Sequence, residues 1–361
     1  LGKADHPFPI IDFYIAFIEA VSVRLLAMKT SISKTILLSG LALGVAFGTM
    51  NRAAAVLVQA DGISAEDDGQ KVVIKHNDEL IAQYIYKGER KPIVYPIIGP
   101  YGTRMTRDYP MKTGTPFEAK DHPHQQSLWF THGEVNGISF WHVGEGSGTI
   151  VSDGKVRMQC MSEETDGEDA TKVVINNTDD WLGPDGKLIC QDKQQVTFRP
   201  LPEGELMIDY EITIEATEGD ILFGDTKEGT MGIRSNPALR LEGEAATGKA
   251  INSEGDTGKP IWGKRAEWVD YWGTVDGNEV GFAIFDHPSN PRHPTWWHAR
   301  EYGLVAANPF GVSYFENKPR GTGDMTLKKG DSVTFRYRFL FHKGDYETGK
   351  VKERYKEYSA E

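Results

Sequence analysis

Val333-Thr334-Phe335-Arg336-Tyr337-Arg338-Phe339-Leu340-Phe341 is the stretch on which the fold class turns. Its odd positions are apolar or aromatic, with Thr334, Arg336 and Arg338 between them. A period of two sends alternate side chains to opposite faces, which predicts a half-buried strand. Leu206, Ile208, Tyr210, Ile212 and Ile214 repeat the pattern against Asp209, Glu211, Thr213 and Glu215, and Val156, Met158 and Cys160 repeat it more briefly. Between such runs stand Asp153-Gly154, Pro184-Asp185-Gly186 and Asp276-Gly277, residues that accept the positive φ angles of tight hairpins. Helical periodicity is confined to Lys350–Tyr358, where Val351, Tyr355 and Tyr358 share one side. No repeat of about 40 residues is visible, which sets a propeller aside. The expectation is an all-β protein: a large antiparallel β-sandwich with a short C-terminal helix.

Near the N-terminus, Met28, Lys29 and Lys34 precede an apolar run from Ile36 to Phe47 and the small residues Ala53-Ala54-Ala55. This order predicts a signal peptide over 28–60, cleaved after Ala55 or Ala60, and hence a periplasmic or extracellular protein. Residues 1–27 precede Met28 and are read as an upstream extension foreign to the native protein. Residues 61–361 are then one large β-sandwich domain. Arg24, Lys29 and Lys34 interrupt the N-terminal apolar segments, neither of which reaches the ~20 residues of a membrane span; no membrane partner is expected after cleavage. The chain carries 40 basic and 52 acidic residues. That balance argues against a nucleic-acid partner, which needs concentrated positive charge. Cys160 and Cys190 are the two cysteines; export permits a disulfide between them, and two buried thiols fit their alternating runs equally well.

Two segments break the alternation. One runs Asp121-His122-Pro123-His124-Gln125-Gln126-Ser127-Leu128-Trp129-Phe130-Thr131-His132-Gly133 and on to Phe140-Trp141-His142. The other runs from Phe285 through His287, His293, Trp296, Trp297, His298 and Arg300 to Asn308-Pro309-Phe310-Gly311. Together they hold seven of the ten histidines, a residue type that titrates near neutrality and concentrates in working loops. His122 and His124 face one side of an extended segment, a geometry suited to an acid and base pair or to two metal ligands. His287 and His298 complete a catalytic set if the two loops share a cleft. Trp129, Trp141, Trp296 and above all Trp297 offer flat faces for a pyranose, and Arg300, Glu301 and Asn308 offer partners for its hydroxyls. Arg104 and Arg107, after Gly99-Pro100-Tyr101-Gly102, suit a carboxylate such as that of a uronic acid. The bland readings are packing histidines, core tryptophans and solvated arginines. No cofactor is required by the sequence, and a divalent metal on His122 and His124 is compatible with it. A serine-nucleophile elbow, a Walker loop, a dinucleotide fingerprint and an H-E-x-x-H motif are absent from the sequence.

On DHPHQQSLWFTHGEVNGISFW (121–141) and FDHPSNPRHPTWWHAREYGLVAANPFG (285–311), the chain resembles the PmoA-like family of exported bacterial proteins over the whole mature length. That family's label implies a membrane copper oxygenase. The mature chain has no apolar stretch of ~20 residues, so the label's chemistry is set aside. By analogy of fold, such proteins look like the supersandwich of galactose mutarotases. The function expected is an exported carbohydrate-active enzyme, a hydrolase, lyase or epimerase using histidine-assisted acid/base chemistry on a sugar or oligosaccharide. The alternatives are a non-catalytic carbohydrate-binding protein and, third, a metal-dependent oxygenase or hydrolase.

Overall fold

The computed structural model describes residues 55–165 and 168–361. The upstream extension and the signal segment as far as residue 54 lie outside these residues. Alternation along the chain becomes two nine-stranded sheets, every pairing of which is antiparallel. The first sheet runs, edge to edge, Val56–Ala60, Ile63–Asp67, Lys71–His76, Glu79–Ile85, Ile93–Ile97, Leu128–His132, Gly229–Arg234, Leu304–Asn308 and Trp296–Ala299. The second runs Lys249–Asn252, Trp268–Val275, Asn278–Asp286, Ser332–Lys343, Leu206–Glu215, Leu188–Pro200, Glu168–Leu182 and Thr149–Ser152, with Arg157–Thr165 also on Glu168–Leu182.

The sheets pack face to face over one apolar cluster, in which Phe130 of the first meets Phe335 of the second at 5.6 Å between ring centroids. Leu206–Glu215 alternates strictly between buried and half-buried positions, as its sequence requires. Ser332–Lys343 departs from simple alternation. From Tyr337 to His342 both of its faces are buried, because the helix Val351–Tyr358 lies on the outer face and sets Val351, Tyr355 and Tyr358 against Trp268, Ala283, Phe285 and Leu340. Asp276-Gly277 forms a two-residue hairpin with positive φ at both positions, and Pro184-Asp185-Gly186 closes a second hairpin. Asp153-Gly154 differs. Thr149–Ser152 and Arg157–Thr165 do not pair with each other but follow one another along Glu168–Leu182, so the turn there interrupts an edge strand. Both cysteines are free thiols, Cys190 in the core and Cys160 half-buried beside the Val58 carbonyl.

One polar network crosses the apolar interior. Asp179 and Asp192 stand directly opposite each other on adjacent strands, both without solvent exposure. Trp181 Nε1 donates to Asp192 (2.6 Å), while Gln194 Nε2 (2.8 Å) and Asn177 Nδ2 (2.7 Å) donate to Asp179. The hydroxyls of Tyr84, from the other sheet, and of Tyr210 both donate to Gln194 Oε1. Every one of these partners is neutral, and Asp192 Oδ1 has no donor among them. Two carboxylates so placed cannot both ionise cheaply. Burial, together with the neighbouring carboxylates, holds Asp179 well above the ordinary carboxylate range and pushes Asp192 up to about 7, so the pair keeps a proton in the folded state at a pH where free carboxylates have lost theirs.

Because the folded state binds that proton more tightly, the pair's stabilisation is complete below the unfolded carboxylate pKa of about 4 and is lost as pH rises through about 7. We predict that the stability of the wild type relative to Asp192→Asn, from denaturant unfolding, falls between pH 4 and pH 7 by up to ~1.4 kcal/mol per pH unit. Parallel stability curves for the two proteins would mean that Asp192 adds no proton to the folded state in this range.

Candidate functional site

The outward face of the first sheet is covered as well, and the site is built there. Ile93, Tyr95, Trp129, Leu304 and Ala306 project from it and form a second apolar layer with Trp141 from the covering loop. Trp129, Gly232, Ala306 and His298 lie in one row across four neighbouring strands. A side chain at Gly232 would come within 2.9 Å of the Trp129 indole, so the glycine lets that ring lie against the strand.

Over this layer passes the loop 104–127, held by Arg107. Its guanidinium donates to the carbonyls of Ala119 (3.2 Å), Asp121 (3.0 Å), His122 (3.0 Å) and Gln125 (3.0 Å) and to the Asp121 carboxylate (2.9 Å). Arg234, at the end of the strand Gly229–Arg234, reaches the same loop through Asp121 (3.2 Å) and the side-chain oxygen of Gln125. Burial alone would raise the Asp121 carboxyl; Arg234, His122 and Arg107 outweigh it and hold the group below its ordinary value. His122 takes a φ of 43° within this clamp, a conformation that a non-glycine residue keeps only where its surroundings enforce it.

The clamp brings three histidines together. His122 hydrogen-bonds Asp121 (2.9 Å) and stacks on Tyr302, with centroids 5.4 Å apart and planes 8° from parallel. His124 lies 5.6 Å from His122 and 5.0 Å from His142, and 6.4 Å from Trp141, which packs in turn on Trp129 at 5.3 Å. The guanidinium carbons of Arg234 and Arg300 sit 4.4 and 5.6 Å from the Tyr302 ring centroid. Beneath them is Lys91. Its Nζ donates to the His124 carbonyl (2.8 Å) and to Gln126 Oε1 (3.1 Å) and lies 5.4 Å from the Trp129 ring centroid. Burial pulls this amine down to about 7, against the opposing charge of Glu89. Burial, aided by His142 and Lys91, likewise takes His124 down to about 3. His124 Nε2, Trp129 Nε1 and Trp141 Nε1 are buried with no hydrogen-bond partner among the described residues.

The other residues singled out in the sequence fall elsewhere. His298 shares the face of Trp129, but three strand spacings of about 4.8 Å put their backbones about 14 Å apart. Its Nδ1–H donates to the Lys227 carbonyl (2.6 Å), and burial lowers it to about 4. His287 is on the second sheet, against Tyr358 and Ser289. It borders a cleft of about 330 Å³ whose arginines are already paired, Arg336 with Glu211 and Arg199 with Asp209. Trp297 points into the core with no exposure and donates to the Ala266 carbonyl (2.9 Å). Asn308 shapes the turn after its strand, donating to the Thr226 carbonyl and accepting from the Phe310 and Gly311 amides. Arg104 is paired with Asp108 (3.0 Å), its side chain 45% exposed. Among the described residues, no group of three or more His, Cys, Asp or Glu is placed to hold a metal ion, the cluster of His122, His124 and His142 included.

Lys91, His142, Tyr302 and Arg234 are absent from the sequence-derived set. Lys91 closes the charged run Lys87-Gly88-Glu89-Arg90-Lys91 and reads there as solvated surface. The usable signal was the alternation Lys91, Ile93, Tyr95, which puts the amine on the face of two apolar residues.

Residues 71–356 match DUF6807, described as a family of unknown function. No curated protein matches the chain. Among solved structures it is similar to a protein described as a kojibiose phosphorylase from the human microbiome, at 11% identity and a TM-score of 0.33, over 81% of this chain and 32% of that one. It is also similar to an aldose epimerase homologue from C. elegans, at 11% identity and a TM-score of 0.29, over 81% of this chain and 100% of that one. A polysaccharide lyase is matched at 12% identity and a TM-score of 0.29, over 76% of this chain and 32% of that one. The chain thus spans about a third of the length of the phosphorylase and of the lyase. The family match takes in every strand from Lys71–His76 to Ser332–Lys343, and the chain belongs to the DUF6807 family.

Proposed function

We propose that this protein is an exported enzyme that acts on a sugar or glycoside by proton transfer, with Lys91 and His124 as the groups that exchange protons. The observation that carries this reading is the convergence of a buried amine titrating near 7 with three buried ring nitrogens that have no partner among the described residues, at His124, Trp129 and Trp141. An unpaired buried polar group costs on the order of 1–3 kcal/mol. A polyhydroxylated ligand recovers that cost, because each hydroxyl both donates and accepts, and its C–H faces suit the indoles. His122 and His142 are exposed and Tyr302 and Arg300 half-buried, so such a ligand would approach the buried groups past these four side chains. Lys91 is divided between its two protonation states near pH 7, the condition under which a general acid or base works best. His124 stays neutral there, its two ring nitrogens able to pass a proton on.

We predict that His124→Ala and Lys91→Met each lower turnover by ~10²–10⁴ while the melting temperature changes by only a few degrees. His287→Ala, on the other sheet, should leave turnover unchanged. With Lys91 as base, the rate should rise with pH along a one-proton limb near 7, and Lys91→Met should abolish that limb. Unchanged turnover in both site variants overturns the reading, and sugar binding without turnover across a broad glycan panel favours a binding protein.

Export predicts a further boundary. Val56–Ala60 is an edge strand fully paired with Ile63–Asp67; cleavage after Ala55 preserves it, whereas cleavage after Ala60 deletes it. The exported protein should therefore begin at Val56 by intact mass, and a start at Asp61 or retention of Met28 contradicts this.

A further inference from the structure

We propose that Lys91 is a covalent nucleophile whose amine condenses with the carbonyl carbon of an open-chain aldose or a keto sugar to form an imine. The inference rests on the sugar-site reading and narrows its substrate to sugars that present a carbonyl group. It starts from the partners of Nζ. Both are neutral oxygens, the His124 carbonyl at 2.8 Å and Gln126 Oε1 at 3.1 Å. The nearby acid, Glu89, is engaged instead by the Gln126 side-chain amide, so no carboxylate hydrogen-bonds the amine and fixes it as an ammonium. Burial does the rest. Lys91 is 4% exposed, and it is the one buried lysine among the described residues. A desolvated lysine close to neutrality in pKa is a nucleophile at a pH where surface lysines are almost wholly protonated.

The surroundings suit the chemistry as well. Amine attack breaks the carbonyl π bond and forms a C–N bond, giving a carbinolamine once one proton moves from nitrogen to oxygen. Loss of the hydroxyl with a second amine proton then gives C=N and one water, with no change of oxidation state. Two proton movements are needed beside Nζ. His124 is the nearest candidate to relay them, since Nζ donates to its carbonyl (2.8 Å) and its buried Nε2 is free of any partner among the described residues. The Trp129 and Trp141 indoles make one apolar wall, which limits hydrolysis of the imine. Their unpartnered N–H groups are donors for the sugar hydroxyls that flank the reacting carbon.

The test is reductive trapping on the full mature chain. D-Erythrose, an aldose with an accessible open-chain form, is added at pH 7 with cyanoborohydride, and modified peptides are located by mass spectrometry. The expected result is an adduct of one sugar less one oxygen atom on the peptide holding Lys91, forming ~10-fold or more faster than on any exposed lysine, because surface amines with a pKa of about 10.4 are protonated at that pH. Lys91→Arg, which keeps the charge, and Lys91→Met should both lose that adduct and retain the slow background. Adducts spread over exposed lysines with Lys91 untouched would overturn the proposal. If Lys91 stays unmodified while His124→Ala still depresses sugar turnover, the imine alone is refuted and the acid/base reading stands. If Lys91 labels selectively but no sugar or glycoside is turned over, the imine chemistry stands and the proposed function falls.

Discussion

The Arg107 guanidinium is the contact on which the outward face of the first sheet depends. A loop laid over an apolar layer carries carbonyl groups that water no longer reaches, and each needs a donor. Arg107 supplies donors to four of them, at Ala119, Asp121, His122 and Gln125, from a single planar group. Lysine has three donors radiating from one point and cannot span that arc. The solution carries its own tension, because Arg234 enters the same space and each guanidinium disfavours the charge of the other. Asp121 resolves it by accepting from both. The turn that presents His122 and His124 is thus a by-product of charge balance between two arginines and one carboxylate.

The same chain treats polar groups differently on the two sides of its first sheet. Between the sheets, Tyr84 reaches across to Gln194, and amides from Asn177 and Gln194 meet Asp179, so that the hydrogen-bonding groups largely answer one another. On the outer side, ring nitrogens of His124, Trp129 and Trp141 are buried with no such answer. The core is not wholly answered, since the hydroxyls of Tyr271 and Tyr337 also have no partner among the described residues, but the network around Asp179 is closed largely on itself, whereas the three outer ring nitrogens converge on one cluster.

The strand pattern was legible because a half-buried strand writes its two environments into alternate residues, as Leu206–Glu215 does without interruption. The amphipathic C-terminal helix was legible for the same reason. What alternation does not encode is which second layer covers an outward face. Trp297 and Trp129 stand in similar sequence surroundings, yet strand parity sends Trp297 to the core and Trp129 to the outer layer. His122 and His124 do meet, but through a turn at His122 rather than along the extended segment that their spacing suggested, and their separation from His287 depends on sheet order, which is fixed by pairings between segments about a hundred residues apart. Lys91 was hidden by its neighbours: a lysine after Glu89 and Arg90 looks solvated until the strand beginning at Ile93 turns it inward.

Arg234 lies more than a hundred residues beyond the loop it grips, and Tyr302, on which His122 rests, lies further still. During synthesis, a chain exposed as far as residue 200 contains Lys91, Arg107, His124 and both indoles, yet lacks Arg234 and Tyr302. Contacts of such sequence separation form late and slowly. The outward-face cluster is therefore completed only when segments more than a hundred residues apart have met.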